Sequence, residues 1–152
     1  MPEQSLELRK QGVVLDRYPV STAKNGPGEE YGSECTPRGR HVIRAKIGTA
    51  CEPGTVFVGR RSTGEIYSAE LAQAEPDRDW ILTRILWLSG LEPGFNRLAN
   101  VDTMRRYIYI HGTPYEDEIG MPVSHGCIRM RNTDLIGLFE LLTAGTVVTI
   151  NA

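Results

Sequence analysis

The sequence predicts a mainly β fold: two packed sheets with one clear helix close to the C-terminal end. Three observations lead there. The segment HVIRAKI (41–47) alternates as a half-buried strand does, with Ile43, Ala45 and Ile47 on one face and Val42, Arg44 and Lys46 on the other. WILTRILWL (80–88) is apolar on both faces, and its Ile, Leu, Thr and Trp content favours a central strand over a buried helix. Helical spacing occurs clearly once, where Leu135, Leu138, Phe139 and Leu142 fall at i, i+3, i+4 and i+7.

Taken in chain order, SLELRK (5–10) and GVVLDRYPV (12–20) form an N-terminal hairpin turning at Gly12. KNGPGEEYGSECTPRG (24–39) is dense in Gly and Pro and reads as a long surface loop, of a length that often carries function. The strands of 41–47 and 80–88 follow. In RRYIYIHG (105–112), period-2 alternation sets Ile108 and Ile110 on one face and Tyr107, Tyr109 and His111 on the other, with Gly112 turning the chain. After the loop TPYEDEIGMPVSHG comes the helix, with Asn132 or Thr133 as N-cap and Gly145 as the stop, and TVVTI (146–150) closes the chain as a strand.

Composition narrows the function. With 152 residues the chain has the size of one domain and buries about two thirds of its unfolded surface. Lys and Arg number 17 against 19 Asp and Glu, and no basic block marks contact with nucleic acid or an anionic membrane, so a small or locally charged ligand is the expected partner. No run approaches the roughly 18 apolar residues of a membrane span. MPEQSLELRKQG lacks the apolar core of a secretory signal, so as written the chain is expected in the cytoplasm, or in the periplasm or cell wall if a signal was removed. Three cysteines, Cys35, Cys51 and Cys127, fit a reducing compartment better than a disulfide framework.

The chemistry concentrates in PVSHGCIRMRN (122–132) and the upstream YIYIHGTP. A free thiol, with a pKa of roughly 8.5, is only a few per cent ionised at neutral pH and needs a histidine, a cation or a helix N-terminus to lower that value. Cys127 is expected to have His111 across the loop, Arg129 and Arg131 nearby, and the dipole of the following helix. Gly126 lets the amides around Cys127 turn inward as an oxyanion hole, and the reaction class is acyl transfer through a thioester. Each residue also has a plainer reading. Cys127 can be a small buried hydrophobe, Asn132 a helix cap, Tyr107 and Tyr109 a cover for the sheet, and His41 a packed histidine. Cys35 and Cys51 read as incidental thiols, and of Arg129 and Arg131 one faces the site. Zinc held by Cys127, His125 and His111 is an alternative, although the first two stand only two apart and a fourth ligand is not evident.

HGT (111–113), a loop, then SHGCIRMRN (124–132) closely resembles the signature of the L,D-transpeptidase catalytic domain, the YkuD family. YPVSTA (18–23) and CTPRGRHVI (35–43) are similar to that family's VSTG and TPxGxF elements, with Ala23 where glycine is usual. The resemblance implies an L,D-transpeptidase-like β-sandwich of two mixed sheets, with a short helix or two and a helix after the catalytic cysteine, as a single domain over 1–152. It implies Cys127 as nucleophile, His111 as base, and the Gly112 carbonyl orienting the imidazole. Ser124 and His125 would shape the pocket, and the amides of His125, Gly126 and Cys127 the oxyanion hole. Arg129 and Tyr109 would bind substrate, with no metal and no cofactor. The implied substrate is a peptidoglycan stem tetrapeptide or muropeptide, with meso-diaminopimelate third and D-alanine fourth. With no export signal visible, an L,D-carboxypeptidase acting during recycling is expected. Cross-linking transpeptidation is the alternative, and a non-catalytic muropeptide-binding module is the alternative of another class.

Overall fold

The computed structural model describes residues 3–151; residues 1, 2 and 152 of the expected 1–152 domain lie outside them. The fold is mainly β. Strands β1 (Ser5–Lys10) and β2 (Val13–Ser21) form the expected hairpin. Gln11 and Gly12 both have positive φ, +51° and +78°, as a two-residue loop matching the right-handed twist of its strands requires. There follow β3 (Gly39–Ile47), a second hairpin of β4 (Thr55–Val58) and β5 (Arg61–Ile66), the short helix α1 (Ala69–Ala74), and the long β6 (Ile81–Gly90). Then come β7 (Tyr109–Gly112), β8 (Ile128–Met130), helix α2 (Asn132–Leu141) and β9 (Val147–Ile150). The β4–β5 hairpin and α1 carry too little apolar periodicity to stand out in the sequence; Ser68 caps α1 by accepting from the Leu71 amide.

Hydrogen bonding runs continuously through a nine-stranded mixed sheet in the order β1-β2-β8-β7-β6-β3-β9, with β4 also on β6 and β5 on β4. The two layers are the arms of this one curled sheet. Leu6 and Leu8 from one edge and Val148 and Ile150 from the other pack on the same core as Ile43, Leu86, Leu88, Ile110 and Met130. Helix α2 adds Leu135, Leu138 and Phe139, all but wholly buried, each stabilising the fold by roughly 1.5–3 kcal/mol. β6 bonds to β3, β4 and β7 and is almost entirely buried, as its two apolar faces require.

Three local expectations are corrected. Strand β3 does not alternate throughout, because pairing steps from Ile43↔Leu88 to Ala45↔Trp87 and leaves Arg44 as the extra residue of a bulge. Ile43 therefore faces the main core while Ile47 packs on the opposite side with Phe57, Ile85 and Tyr109. Tyr107 precedes strand β7 rather than belonging to it; it sits in a turn at φ +55° and is largely exposed. Helix α2 ends at Leu141, and Gly145, at φ +95°, belongs to the later turn into β9, so it is not the helix stop. His41 is a packed histidine as expected, fully buried between the Gly39 carbonyl at 3.1 Å and Thr103 Oγ1 at 3.0 Å.

Candidate active site

β7 and β8 lie side by side and parallel, with Ile110 opposite Ile128 and His111 opposite Arg129. Alternation then divides their residues between two faces. Ile108, Ile110, Ile128 and Met130 enter the main core, while Tyr109, His111, Cys127 and Arg129 line a cavity of about 520 Å³ on the other side. Ser124 and His125 line it too; Ser124 is buried and His125 exposed at the rim. Arg131 is exposed, so Arg129 is the one of the two arginines that faces the site.

His111 is 2% exposed and its Nδ1 donates to the Gly112 carbonyl at 2.7 Å, which makes Nε2 the basic nitrogen. The Gly112 turn is clamped from outside. Asn132 Nδ2 donates to the Thr113 carbonyl at 2.9 Å, and its Oδ1 accepts from Thr83 Oγ1. A Cβ at Gly112 would strike that Oδ1 and come within 2.7 Å of the Leu82 carbonyl oxygen. Asn132 is thus not the helix cap: Arg131 occupies that position without a capping side-chain bond, and the Asn132 amide instead donates to Glu116 at 2.8 Å. Thr83, which reaches Asn132, stands at φ +78° where β6 bulges between Leu82 and Ile85, an uncommon conformation for a β-branched residue.

The turn before Cys127 is held as firmly. Ser124 Oγ donates to the Cys127 carbonyl at 2.6 Å and accepts from the Gly126 amide at 3.2 Å. The Gly126 carbonyl accepts from Thr36 Oγ1 at 2.9 Å, so the long loop 24–39 packs against the site as a support. Gly126 itself is at φ +129°, with the Cys35 carbonyl oxygen 3.2 Å from where a Cβ would be. With the Gly126 N–H engaged, the amides of His125 and Cys127 are the two of this turn without a hydrogen-bond partner among the described residues.

The thiol differs from its expected state. Cys127 Sγ accepts from the Tyr109 amide at 3.3 Å and donates to the Tyr107 carbonyl at 3.4 Å. Burial pushes its pKa up to about 12, outweighing the Tyr109 amide and the positive charges of Arg129 and Arg106, with Asp79 adding to the rise. Burial likewise pulls His111 down to about 4, against the Gly112 carbonyl. Both groups are therefore neutral at pH 7. The expected help from the α2 dipole fails because β8 intervenes, placing the helix start roughly 15 Å of extended chain beyond Cys127, whereas a dipole acts within about a turn. Alkylation of Cys127 by iodoacetamide should consequently keep rising with pH beyond 9. A rate plateau setting in at or below pH 7 would show a resting thiolate and refute the neutral pair.

Three charged residues that the sequence reading did not single out also line the cavity: Arg60, Asp79 and Arg106. Arg60 and Asp79 lie far from the motif in sequence and carry no spacing signal. Arg106 stands three residues before β7 begins at Tyr109, the one place where proximity offered a hint. Among the described residues no group of three or more His, Cys, Asp and Glu side chains is placed to hold a metal ion.

A thiol and a carbonyl-anchored imidazole that line one cavity from neighbouring strands are an arrangement suited to cysteine-dependent acyl transfer. The chain belongs to one family of such enzymes, the L,D-transpeptidase catalytic domain (YkuD), whose family model matches residues 1–150. It is 49% identical over 47 residues to a protein of Bacillus subtilis (strain 168) that bears the family's name, YkuD, a match covering 31% of this chain and 29% of that one. In structure it is similar to the L,D-transpeptidase from Mycobacterium smegmatis, with TM-score 0.56 and 20% identity over 99% of this chain and 55% of the other. It is similar also to L,D-transpeptidase 3 from Mycobacterium tuberculosis in complex with a faropenem-derived adduct, with TM-score 0.58 and 16% identity over 99% of this chain and 57% of the other. The chain spans just over half the length of these two structures, and their likeness bears on the fold.

Proposed function

We propose that the protein cleaves peptidoglycan stem tetrapeptides between the third residue and the terminal D-alanine, acting as an L,D-carboxypeptidase. The observation that carries the reading is the pairing of β7 with β8, which brings the His111 imidazole and the Cys127 thiol into one cavity. Because both are neutral, proton and nucleophile move together. Cys127 Sγ attacks the third residue's carbonyl carbon as His111 Nε2 takes the thiol proton, and the developing oxyanion meets the amides of His125 and Cys127. The C–N bond breaks, and His111 returns the proton to the departing amine of D-alanine. Water then attacks the thioester carbonyl, releasing the tripeptide acid and restoring the thiol.

Charge favours water as the acceptor. Three arginines and one aspartate line the cavity. That balance suits the carboxylates of a donor peptide and opposes an amine acceptor, which arrives as an ammonium ion. Transfer to an amine, forming a cross-link, is the second reading, favoured by the names of the related proteins. Mass spectrometry of a disaccharide tetrapeptide incubated with the protein, with and without excess amine acceptor, separates the possibilities. Tripeptide and free D-alanine are expected in both. Cross-linked dimer as the main product would replace hydrolysis by transpeptidation, and an unchanged tetrapeptide would leave only a binding role.

A further inference from the structure

The three guanidinium groups of the cavity are not equivalent. Arg106 is engaged with its own chain: Nη1 donates to the Gly28 carbonyl at 3.2 Å, and Nη2 to the Cys35 carbonyl at 2.6 Å and Ser33 Oγ at 3.4 Å. Arg129, only 9% exposed, has the Asp79 carboxylate 4.0 Å away. Arg60 has no carboxylate within ion-pair distance among the described residues. Its guanidinium carbon lies 4.6 Å from the Trp87 ring and 4.8 Å from the Tyr107 ring, and Nη1 donates to the Tyr109 hydroxyl at 3.0 Å. Two aromatic faces and one phenol fix the plane of the group while leaving its charge uncompensated.

The backbone supplies an independent pointer. Arg60 follows Gly59 in the two-residue loop of the β4–β5 hairpin, closed by the Val58↔Arg61 pair, and both loop residues have positive φ, +57° and +64°. Such a loop is best served by Asn-Gly, Asp-Gly or Gly-Gly, and a long side chain in the left-handed region costs the turn stability. The turn does not call for arginine; the cavity it overhangs does. A stacked guanidinium still offers several N–H donors in a planar fork, the geometry that fits a carboxylate with two parallel hydrogen bonds.

We propose that Arg60 is the carboxylate receptor of the site and thereby a specificity-determining residue, sorting donor peptides by a free carboxylate near the scissile bond. This rests on the stem-peptide reading above, and it places the carboxylate contact at the hairpin tip rather than at Arg129, the substrate-binding arginine that the family resemblance implies. Two carboxylates of the donor share this chemistry: that of the terminal D-alanine and that on the third residue's side chain.

Binding tests the proposal without needing turnover. In the Cys127→Ala background, calorimetric titration of a tetrapeptide with both carboxylates free, one ending in D-alaninamide, and one amidated on the third residue's side chain gives three affinities. These are compared for Arg60, Arg60→Gln and Arg60→Lys. With Arg60 intact, one of the two amidations should weaken binding about 10-fold to 100-fold, as loss of a charge-assisted hydrogen-bond pair does, and which one identifies the carboxylate. Arg60→Gln should weaken binding of the free peptide to the same extent and make that amidation neutral, with Arg60→Lys between the two. The proposal is overturned if amidation makes no difference with Arg60 present, or if Arg60→Gln weakens all three peptides alike. It is equally overturned if sensitivity to amidation survives in Arg60→Gln and vanishes in Arg129→Gln, or if the free peptide does not bind at all. Arg60-dependent discrimination together with no turnover by the unmutated protein would support the receptor and reject only the proposed reaction.

Discussion

Cys127→Ala should release no measurable D-alanine from a tetrapeptide, a loss of about 10⁴-fold or more, because no other group can form the acyl intermediate. The fold should survive. The side chain is half-buried at the cavity wall, and its removal sacrifices only a thiol's packing and two weak hydrogen bonds to the backbone of Tyr107 and Tyr109. Cys35→Ala and Cys51→Ala should remain active, since neither thiol lines the cavity. Near-normal turnover by the Cys127 variant, with circular dichroism matching the parent, would eliminate the thioester mechanism.

His111→Ala should lower kcat by roughly 10²-fold to 10⁴-fold. Its pH behaviour distinguishes a base from a structural residue. Burial holds His111 at about 4, so the imidazole is a competent base at neutral pH and activity should fall only as pH drops through about 4. That acid limb should be missing from the residual activity of the variant. Stability carries the same signature. The folded pKa is depressed from 6.5 to about 4, so between those values the unfolded chain takes up a proton that the native state refuses. Stability therefore declines as pH falls through this window, by up to about 3 kcal/mol from His111 alone. His41, also lowered by burial, adds in the same direction. An activity limb centred near 6.5 in the parent would contradict the buried neutral imidazole.

The end of β7 and the place of Cys127 were legible in the sequence because chemistry and periodicity coincide there, whereas β8, three residues between the loop and the helix, was not foreseen. Alternation alone separates Tyr109 and His111 from Ile108 and Ile110, and HGC marks the nucleophile. Equally legible were the N-terminal hairpin, the central run of β6 and the helix carrying Leu135, Leu138 and Phe139. What alternation cannot express is an inserted residue. The bulge at Arg44 reverses the face of Ile47, and the one beginning at Thr83 brings a hydroxyl to Asn132, which a capping rule had placed at the helix start. Burial was the other blind spot. A histidine and two arginines near a thiol suggest a thiolate, but the desolvation that reverses this depends on how completely the fold covers the pair. Arg60 and Asp79 come from a hairpin tip and the approach to β6, and the pairings of β4 with β6 and of β6 with β7 make them neighbours of the motif.

The parallel pairing of β7 with β8 also constrains how the site comes into being. Antiparallel strands can be joined by a tight turn and can zip from it, but parallel ones need a crossover, here residues 113–127. β8 is three residues long and is gripped by β7 on one side and by β2, more than a hundred positions upstream, on the other. Closing such loops costs chain entropy before any contact repays it, so this pairing belongs with the slow, non-local steps of folding. A chain emerging from synthesis, or one whose β8 has locally opened, therefore carries a thiol without its base. Competence for acyl transfer therefore waits on the pairing of β7 with β8, and the rate at which Cys127 gains turnover during refolding should time that step.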